Sequence, residues 1–318
     1  WETENPADNA VQFTRTFIVP SMTRRIVWYP IRVPDHKPEN ERLQFGRLML
    51  RSIISREEGG AEVMVVSPLQ KVHAAAQINT EFNKPALGFI PEDESATVER
   101  RDYLAKRGVD VEDISSITLR MLTSIRQAKK LGTVMFKPKI SGIAPSPLSL
   151  DGLDQLVIAD GRYSEDVSLT NSIRSWIMGG GRAWVMLDRT GTAFARRLLG
   201  DSLNLVELET RELNTVVITS IAGGQRLVGS QTDYDTPVRM INVMVDGVEI
   251  THEVGDIPAA FWMKYGNGEI LFTTLSSEAW VRNRTHPKIS KDLLALEPLE
   301  DLMNRFYTPT EKALTDFA

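Results

Sequence analysis

The sequence contains no cysteine among its 318 residues. Disulfide bonds, thiolate nucleophiles and cysteine-ligated metal sites are therefore excluded together. Long apolar runs are also missing, and because a membrane-spanning helix needs about 18 or more apolar residues in succession, none is predicted. A basic excess is absent as well, since the net charge is −5. Nucleic acid is therefore not expected as a partner, because duplex binding depends on clustered lysine and arginine.

The overall composition is that of an ordinary globular protein, with 42% hydrophobic and 25% charged residues. A chain of this length accommodates two domains with cores of their own. The sequence begins with Trp1 rather than methionine. Any signal peptide or membrane anchor would lie outside it, and attachment through such a segment stays open.

Three regions differ in their residue patterns. From Val11 to Leu69, runs of β-branched and aromatic residues are separated by charged turns, so we predict a small all-β, sandwich-like domain over residues 1–83. An α/β domain is predicted over residues 84–290. A C-terminal helical tail is predicted over residues 291–318, where leucines recur at helical spacing.

The clearest pattern runs from Leu148 to Leu199, where short apolar runs alternate with stretches of helical spacing. A buried strand is predicted just before Asp160, a helix from Thr170 to Met178, and a second strand from Ala183 to Leu187. A further helix follows to Leu199. Such a βαβα unit is typical of a parallel sheet with right-handed crossovers.

Two hairpins are predicted later in the chain. One turns at Asp246-Gly247 between the apolar runs Val238–Val245 and Val248–Ile250, and the other turns at Gly266-Asn267-Gly268. In both, a glycine-containing turn separates two apolar runs, which is a strong short-range signal for antiparallel neighbours.

Three segments together resemble the class I glutamine amidotransferase-like family. They are LDQLVIAD (Leu153–Asp160), SIRSWIMGGGRAWVMLD (Ser172–Asp188) and YGNGEILFTTLS (Tyr265–Ser276). The resemblance implies a flavodoxin-like α/β fold, a mostly parallel sheet with flanking helices, over the predicted α/β domain. The family's chemistry depends on a cysteine at the turn that follows one strand, and this sequence has none. Chains of this kind often form the exported part of a bacterial membrane-associated protein, so the resemblance also implies an extracytoplasmic location.

In an open parallel sheet, ligands bind beyond the carboxyl ends of the strands. Polar and charged residues follow the predicted strands at these ends, and they are the candidates for a ligand pocket. The candidates are Glu92, Asp160, Arg162, Arg189 and Thr190. For Thr190 the favoured interpretation is an N-cap of the following helix rather than a nucleophile.

Three side chains are candidates for catalysis, namely Asp188, His252 and Glu278. A carboxylate can act as acid, base or nucleophile, and a histidine can exchange the proton. The favoured interpretation of Asp188 is nevertheless structural, as a helix cap or the partner of a neighbouring arginine. No histidine has a second ligand at metal-binding spacing, so neither a metal nor another cofactor is predicted.

The leading hypothesis is a non-catalytic glutamine amidotransferase-like protein that acts by binding, as a scaffold or sensor. Its partner would be another protein or a small polar ligand. The reason is the pattern of the family's fold in a chain without a thiol. The alternative is a hydrolase that acts on a sugar or an ester, with Asp188 or Glu278 as acid or base and His252 as its partner.

Overall fold

The computed structural model describes residues 45–51, 55–58, 61–64, 75–81, 85–92, 117–131, 135, 147–283, 293–295 and 297–307. The chain divides into two compact units, Trp1–Lys84 and Pro85–Ala318. Among the described residues, no helix has both the length and the apolar character needed to cross a membrane.

In the first unit the described residues form four short strands in two antiparallel pairs. Strand β1 (Phe45–Arg51) pairs with β4 (Ala75–Glu81), and β2 (Ser55–Glu58) pairs with β3 (Ala61–Met64). The strands predicted before residue 45 lie outside the described residues.

The second unit is organised around an eight-stranded sheet with the order β5-β6-β7-β12-β11-β10-β8-β9. Its strands are β5 (Leu87–Ile90), β6 (Gln155–Ile158), β7 (Arg182–Met186), β8 (Asn204–Ala222), β9 (Gln225–Asp246), β10 (Glu249–Val254), β11 (Ile257–Tyr265) and β12 (Gly268–Thr273). A separate antiparallel pair consists of β13 (Val281–Asn283) and β14 (Leu293–Ala295).

Helices cover both faces of this sheet. They are α1 (Ile117–Ala128), α2 (Val167–Met178), α3 (Leu187–Leu199) and α4 (Glu297–Tyr307). Helices α1 and α4 share one apolar core with one face of the sheet, and α2 and α3 share a second core with the other face. Successive residues of a strand point to opposite faces, so in β7 Trp184 enters the first core and Val185 the second.

Local signals account for the βαβα part of the unit. The side chain of Asp166 caps α2 by accepting a hydrogen bond of 3.0 Å from the amide of Leu169. The helix ends at the triple glycine, where the hairpin between β11 and β12 packs closely against it. A Cβ on Gly268 would overlap the carbonyl oxygen of Ile177, so this close approach requires glycine. The βαβα prediction is confirmed by β6, α2, β7 and α3.

The predicted flavodoxin-like, mostly parallel sheet is wrong, because the sheet is mixed. Three neighbouring pairs are parallel, namely β5–β6, β6–β7 and β7–β12, and the four pairs from β12 to β9 are antiparallel. A parallel neighbour needs a long crossover connection. The strands of the pairs β8–β9, β10–β11 and β11–β12 are instead joined by short turns, so these pairs are antiparallel. The fold implied by the resemblance to the glutamine amidotransferase-like family is therefore wrong as well.

One of the two predicted hairpins is confirmed. Strands β11 and β12 pair antiparallel around Gly266-Asn267-Gly268, with Tyr265 opposite Gly268. The hairpin predicted at Asp246-Gly247 is wrong, because β8 lies between β9 and β10 in the sheet. The long hairpin forms instead between β8 and β9, around Gly223-Gly224, and bulges interrupt its register at three places. We call this hairpin the β8–β9 ribbon.

The predicted C-terminal helix is confirmed over α4, although it begins later than expected because residues 293–295 form β14. The last carbonyl groups of α4 meet side chains at the amino ends of two strands. Gln155 Nε2 donates to the carbonyl oxygen of Phe306 at 2.9 Å, and Arg182 Nη1 donates to that of Arg305 at 2.9 Å. These bonds satisfy carbonyl groups that the end of a helix leaves unpaired.

Candidate functional site

The carboxyl ends of β5, β6, β7 and β12 lie side by side at one edge of the sheet, because these four strands are parallel neighbours. Each end is followed by polar residues, as the sequence predicted. They are Glu92 after β5, Asp160 after β6, Asp188–Thr190 after β7 and Ser276–Glu278 after β12. We call this region the carboxyl edge.

Arg189 is the centre of the carboxyl edge, because its guanidinium contacts three carboxylates from three strand ends. Its Nε lies 2.8 Å from Oδ2 of Asp188, its Nη1 lies 3.1 Å from Oε2 of Glu92, and its Nη2 lies 3.2 Å from both Oε atoms of Glu278. Four of the residues predicted for the site are therefore brought together. They form what we call the Arg189 cluster.

The Arg189 cluster is largely shielded from solvent. The side chain of Arg189 is 11% exposed and that of Asp188 is 1% exposed, whereas those of Glu92 and Glu278 retain 19% and 18%. Burial by itself lowers the pKa of Arg189, but its three carboxylate partners, Asp188 foremost, together raise that pKa above the ordinary value. Arg189 is therefore fully charged, and its partners compensate the cost of burying it.

Two hydroxyl groups that were not predicted as site residues from the sequence extend the cluster. Thr118 Oγ1, at the start of α1, donates to Oε1 of Glu92 at 2.9 Å and lies 2.8 Å from Oγ of Ser277. Both hydroxyls are buried. The position of Ser277 four residues beyond the end of β12 was a usable signal, but nothing in the sequence connects Thr118 with a strand end.

Asp160 and Arg162 form a pair of their own. Asp160 accepts from the amide of Arg162 at 2.9 Å and from its Nη2 at 2.6 Å. The backbone here touches the turn after β7, and a Cβ on Gly161 would overlap the carbonyl oxygen of Thr190. This pair therefore stabilises its own turn, while glycine lets the two turns meet.

The turn after β7 is not a strained nucleophile elbow. Residues 187–190 form one helical turn, and the chain then breaks at Gly191, with φ 71° and ψ 164°. Within the described ranges, Lys130 is the one residue other than glycine with a positive φ. An elbow of the hydrolase type holds its nucleophile in a sharp, strained turn. At this turn the residue with a positive φ is Gly191, which has no side chain to act as a nucleophile.

Thr190 does not cap the following helix, so its predicted role is wrong. Its hydroxyl donates back to the carbonyl oxygen of Met186 at 3.0 Å instead of accepting from an amide of the next turn. A short polar side chain inside a helical turn commonly bonds to the carbonyl four residues earlier. The hydroxyl of Thr190 is thus engaged with the backbone.

His252 lies away from the Arg189 cluster, on β10 beneath the first turn of α4. Its ring packs edge-to-face on Trp280, with ring centroids 5.8 Å apart, and Nδ1 lies 3.0 Å from Oγ1 of Thr251. Burial lowers the pKa of His252 to about 4, although Asp301 and the backbone of Pro298 oppose this shift. No hydrogen bond or ion pair within the described residues joins His252 to Asp188 or Glu278.

In the described part of the chain, no three His, Cys, Asp or Glu side chains are arranged to hold a metal ion. The carboxylates of the Arg189 cluster face a guanidinium, which takes the position that a cation would need. The arrangement can therefore hold three strand ends together by charge, and its three carboxylates outnumber the single guanidinium that they share.

Comparison of the sequence with protein-family models and with curated proteins gives no match. Among solved structures, a β-galactosidase from the Antarctic haloarchaeon Halorubrum lacusprofundi is 12% identical with TM-score 0.42, over 63% of this chain and 29% of that chain. An exo-β-1,4-mannosidase from Opitutaceae bacterium strain TAV5 is 12% identical with TM-score 0.33, over 50% of this chain and 27% of that chain. A cytoplasmic protein from Salmonella typhimurium LT2 is 11% identical with TM-score 0.36, over 72% and 84%.

The chain thus spans less than a third of the length of the two glycosidases it is similar to. Likeness of this degree carries no inference about activity.

Proposed function

We propose that the second unit acts by binding rather than by catalysis, as a scaffold or sensor for another protein or a small polar ligand. The observation that carries this proposal is the Arg189 cluster. The charged side chains that β5, β7 and β12 deliver to the carboxyl edge are bound to one another through a single guanidinium.

The geometry of the cluster disfavours acid–base catalysis. A general acid or base must lie within hydrogen-bonding reach of the substrate proton. Asp188 is almost fully buried against Arg189, and Glu278 places both of its oxygens on the same guanidinium.

The candidates for a nucleophile are engaged elsewhere. The Thr190 hydroxyl is bonded to the carbonyl oxygen of Met186, and that of Ser277 lies against Thr118 and Sδ of Met186. His252, which would be the base in a catalytic pair, contacts Trp280 and Thr251 instead. No activated nucleophile with an adjacent base results from these contacts.

A second candidate function is hydrolysis of a sugar or an ester. One observation favours it, which is that Glu92 and Glu278 flank the same guanidinium and both retain some exposure to solvent. Glycoside hydrolysis requires two carboxylates on either side of the bond that is cleaved. For this function a substrate would have to displace at least one of the two from Arg189.

One experiment separates the two functions. The wild type, Asp188→Asn and Glu278→Gln are assayed with chromogenic glycosides and esters, and their unfolding in urea is measured in parallel. Asp201→Asn is the matched control, because Asp201 is exposed on the turn after α3.

For a binding protein we expect no hydrolysis above the uncatalysed background. Asp188→Asn is expected to lower the free energy of unfolding by roughly 2 kcal/mol, since the bond between Arg189 and a buried carboxylate is lost. The opposite outcome would be hydrolysis by the wild type that is lost in Asp188→Asn or Glu278→Gln while the stability of the variant is unchanged. That result would refute the proposal and establish the hydrolase.

A further inference from the structure

The first half of β9, Gln225–Asp233, is the outermost stretch of the eight-stranded sheet. Strand β9 is the last in the strand order, and this half pairs on its inner side with residues 215–222 of β8. Its side chains are open to solvent, since Leu227 is 60% exposed and Val228 is 74% exposed. An open edge of this kind is a template on which another strand can pair.

The charges of this edge do not oppose self-pairing. Proteins commonly protect edge strands with charged side chains, and the exposed stretch Val206–Glu212 of β8 follows that rule with three glutamates and one arginine. The stretch Gln225–Asp233 has one arginine, Arg226, and one aspartate, Asp233, at its two ends. Its net charge is zero, and antiparallel pairing with a second copy would bring opposite charges together.

A bulge in β9 sets the register of such a pair. In β8, Val217 and Thr219 are two residues apart and face the same side of the sheet, and they pair with Gln231 and Val228. Gln231 and Val228 are three residues apart, so they share a face only because β9 has one extra residue between them. By the same shift, Arg226 and Asp233 lie on one face, although they are seven positions apart and would face opposite sides in a regular strand.

We propose that two copies of this chain associate through antiparallel pairing of their Gln225–Asp233 edges. The two-fold axis passes between Gly229 and Ser230, which makes the contact isologous. Each residue then meets a partner of the second copy that lies on the same face. The pairs are Arg226 with Asp233, Leu227 with Thr232, Val228 with Gln231 and Gly229 with Ser230.

The ion pairs that Arg226 makes within its own chain are compatible with this contact. Its Nη2 lies 2.7 Å from Oε2 of Glu253, and the side chain remains 56% exposed. A guanidinium has five N–H donors, so Glu253 and Asp233 of the second copy can bind it together. The pairing does not involve Arg189, and its outcome is independent of the proposed function.

The first test is sedimentation velocity of the full chain over a range of concentrations. A short edge contact is small for a protein interface. We therefore expect a reversible dimer, of twice the monomer mass of 35.7 kDa, that dissociates on dilution. Val228→Lys is expected to yield a monomer, because it places a lysine on the edge in each copy.

The matched control is Val167→Lys, because Val167 is 70% exposed at the start of α2 and lies away from the edge. This variant is expected to dimerise like the wild type. A chain that stays monomeric at every concentration overturns the proposal, and so does a dimer that Val228→Lys leaves intact.

The absence of cysteine from the chain permits a direct test of the register. In Val228→Cys/Gln231→Cys, opposite residues of the two copies would lie close enough for a disulfide, and we expect oxidation to cross-link the dimer. In Val228→Cys/Thr232→Cys, the two thiols point to opposite faces, and no cross-link is expected. Equal cross-linking of the two variants would refute the register.

Discussion

Strand β7 has a buried arginine near each end, and the two are stabilised by different partners. Arg182, its first residue, donates to the carbonyl oxygens of Arg305 and Phe306 at 2.9 and 3.4 Å. Arg189, just past its end, contacts three carboxylates. One arginine therefore binds mostly neutral acceptors at the amino edge of the sheet, and the other binds charged ones at the carboxyl edge.

The different partners shift the pKa values of the two guanidinium groups in opposite directions. Burial lowers the pKa of Arg182, and Glu269 opposes that shift only in part. For Arg189 the carboxylates outweigh burial and raise the pKa. Arg182 at the amino edge thus fastens a helix end to the sheet, whereas Arg189 at the carboxyl edge offsets part of the negative charge of three clustered carboxylates.

The largest effect is expected from Arg189→Met. Removing the guanidinium leaves the carboxylates of Asp188, Glu92 and Glu278 close together without their shared cation. Loss of one partner from a buried ionic contact costs about 3–5 kcal/mol, and we expect a decrease of that size in the free energy of unfolding, measured in urea at pH 7. A decrease below about 1 kcal/mol would mean that solvent already compensates these charges.

The next effect concerns His252, a buried ionisable group that has no salt-bridge partner among the residues that the structure describes. Its pKa is about 4 in the folded protein, against 6.5 for the ordinary side chain. Between these values the unfolded chain binds the proton and the folded chain does not, so stability is complete above pH 6.5 and is lost as the pH falls towards 4. The expected loss is roughly 3 kcal/mol.

The measurement is urea unfolding of the wild type and His252→Leu between pH 4 and 7. The other three histidines are present in both proteins, so the difference between the two pH profiles isolates His252. Parallel profiles would contradict the prediction. If His252→Leu does not fold, titration of the His252 ring by NMR gives the same answer, and a pKa near 6.5 would contradict it.

A smaller effect is expected from Arg182→Met, which makes the same substitution at the other end of β7. It removes hydrogen bonds to two carbonyl groups of α4 and the weaker contact with Glu269 at 3.7 Å. We expect a loss of roughly 2 kcal/mol, since hydrogen bonds to charged groups contribute about that much. Hydrogen exchange should become faster in α4 before the rest of the sheet. A loss as large as that of Arg189→Met would remove the distinction between the two arginines.

The meeting of Glu92, Asp188, Arg189 and Glu278 at one edge could be predicted from the sequence, because parallel strands end together and each was followed by charged residues. The ion pairs and hydrogen bonds that these four side chains make with one another could not be predicted. Glu278 is 89 residues from Arg189, and no spacing rule indicates that both of its oxygens reach one guanidinium. Ion pairs of this kind depend on side-chain directions that are fixed only when the helices and strands pack.

The antiparallel half of the sheet was predicted less well, and for a related reason. The Asp246-Gly247 turn has the composition of a hairpin, yet Val254 of β10 pairs with Ile218 of β8 rather than with a residue of β9. Strand β8 is long enough to pair with β9 along its length and with β10 near its end. The composition of a turn carries information only about the residues of the turn. It therefore cannot indicate that a strand from earlier in the chain lies between the two strands that the turn connects.

The smallest effect is expected from Thr118→Val, which tests the outer contacts of the Arg189 cluster. Valine keeps the shape of threonine but removes the hydroxyl that donates to Glu92 and contacts Ser277. We expect the free energy of unfolding to fall by about 1 kcal/mol, the usual contribution of one hydrogen bond. In the background of Arg189→Met the same substitution should cost more, because Thr118 is then a principal remaining donor to Glu92. A double-mutant cycle in urea measures this coupling, and strict additivity would show that Thr118 acts independently of Arg189.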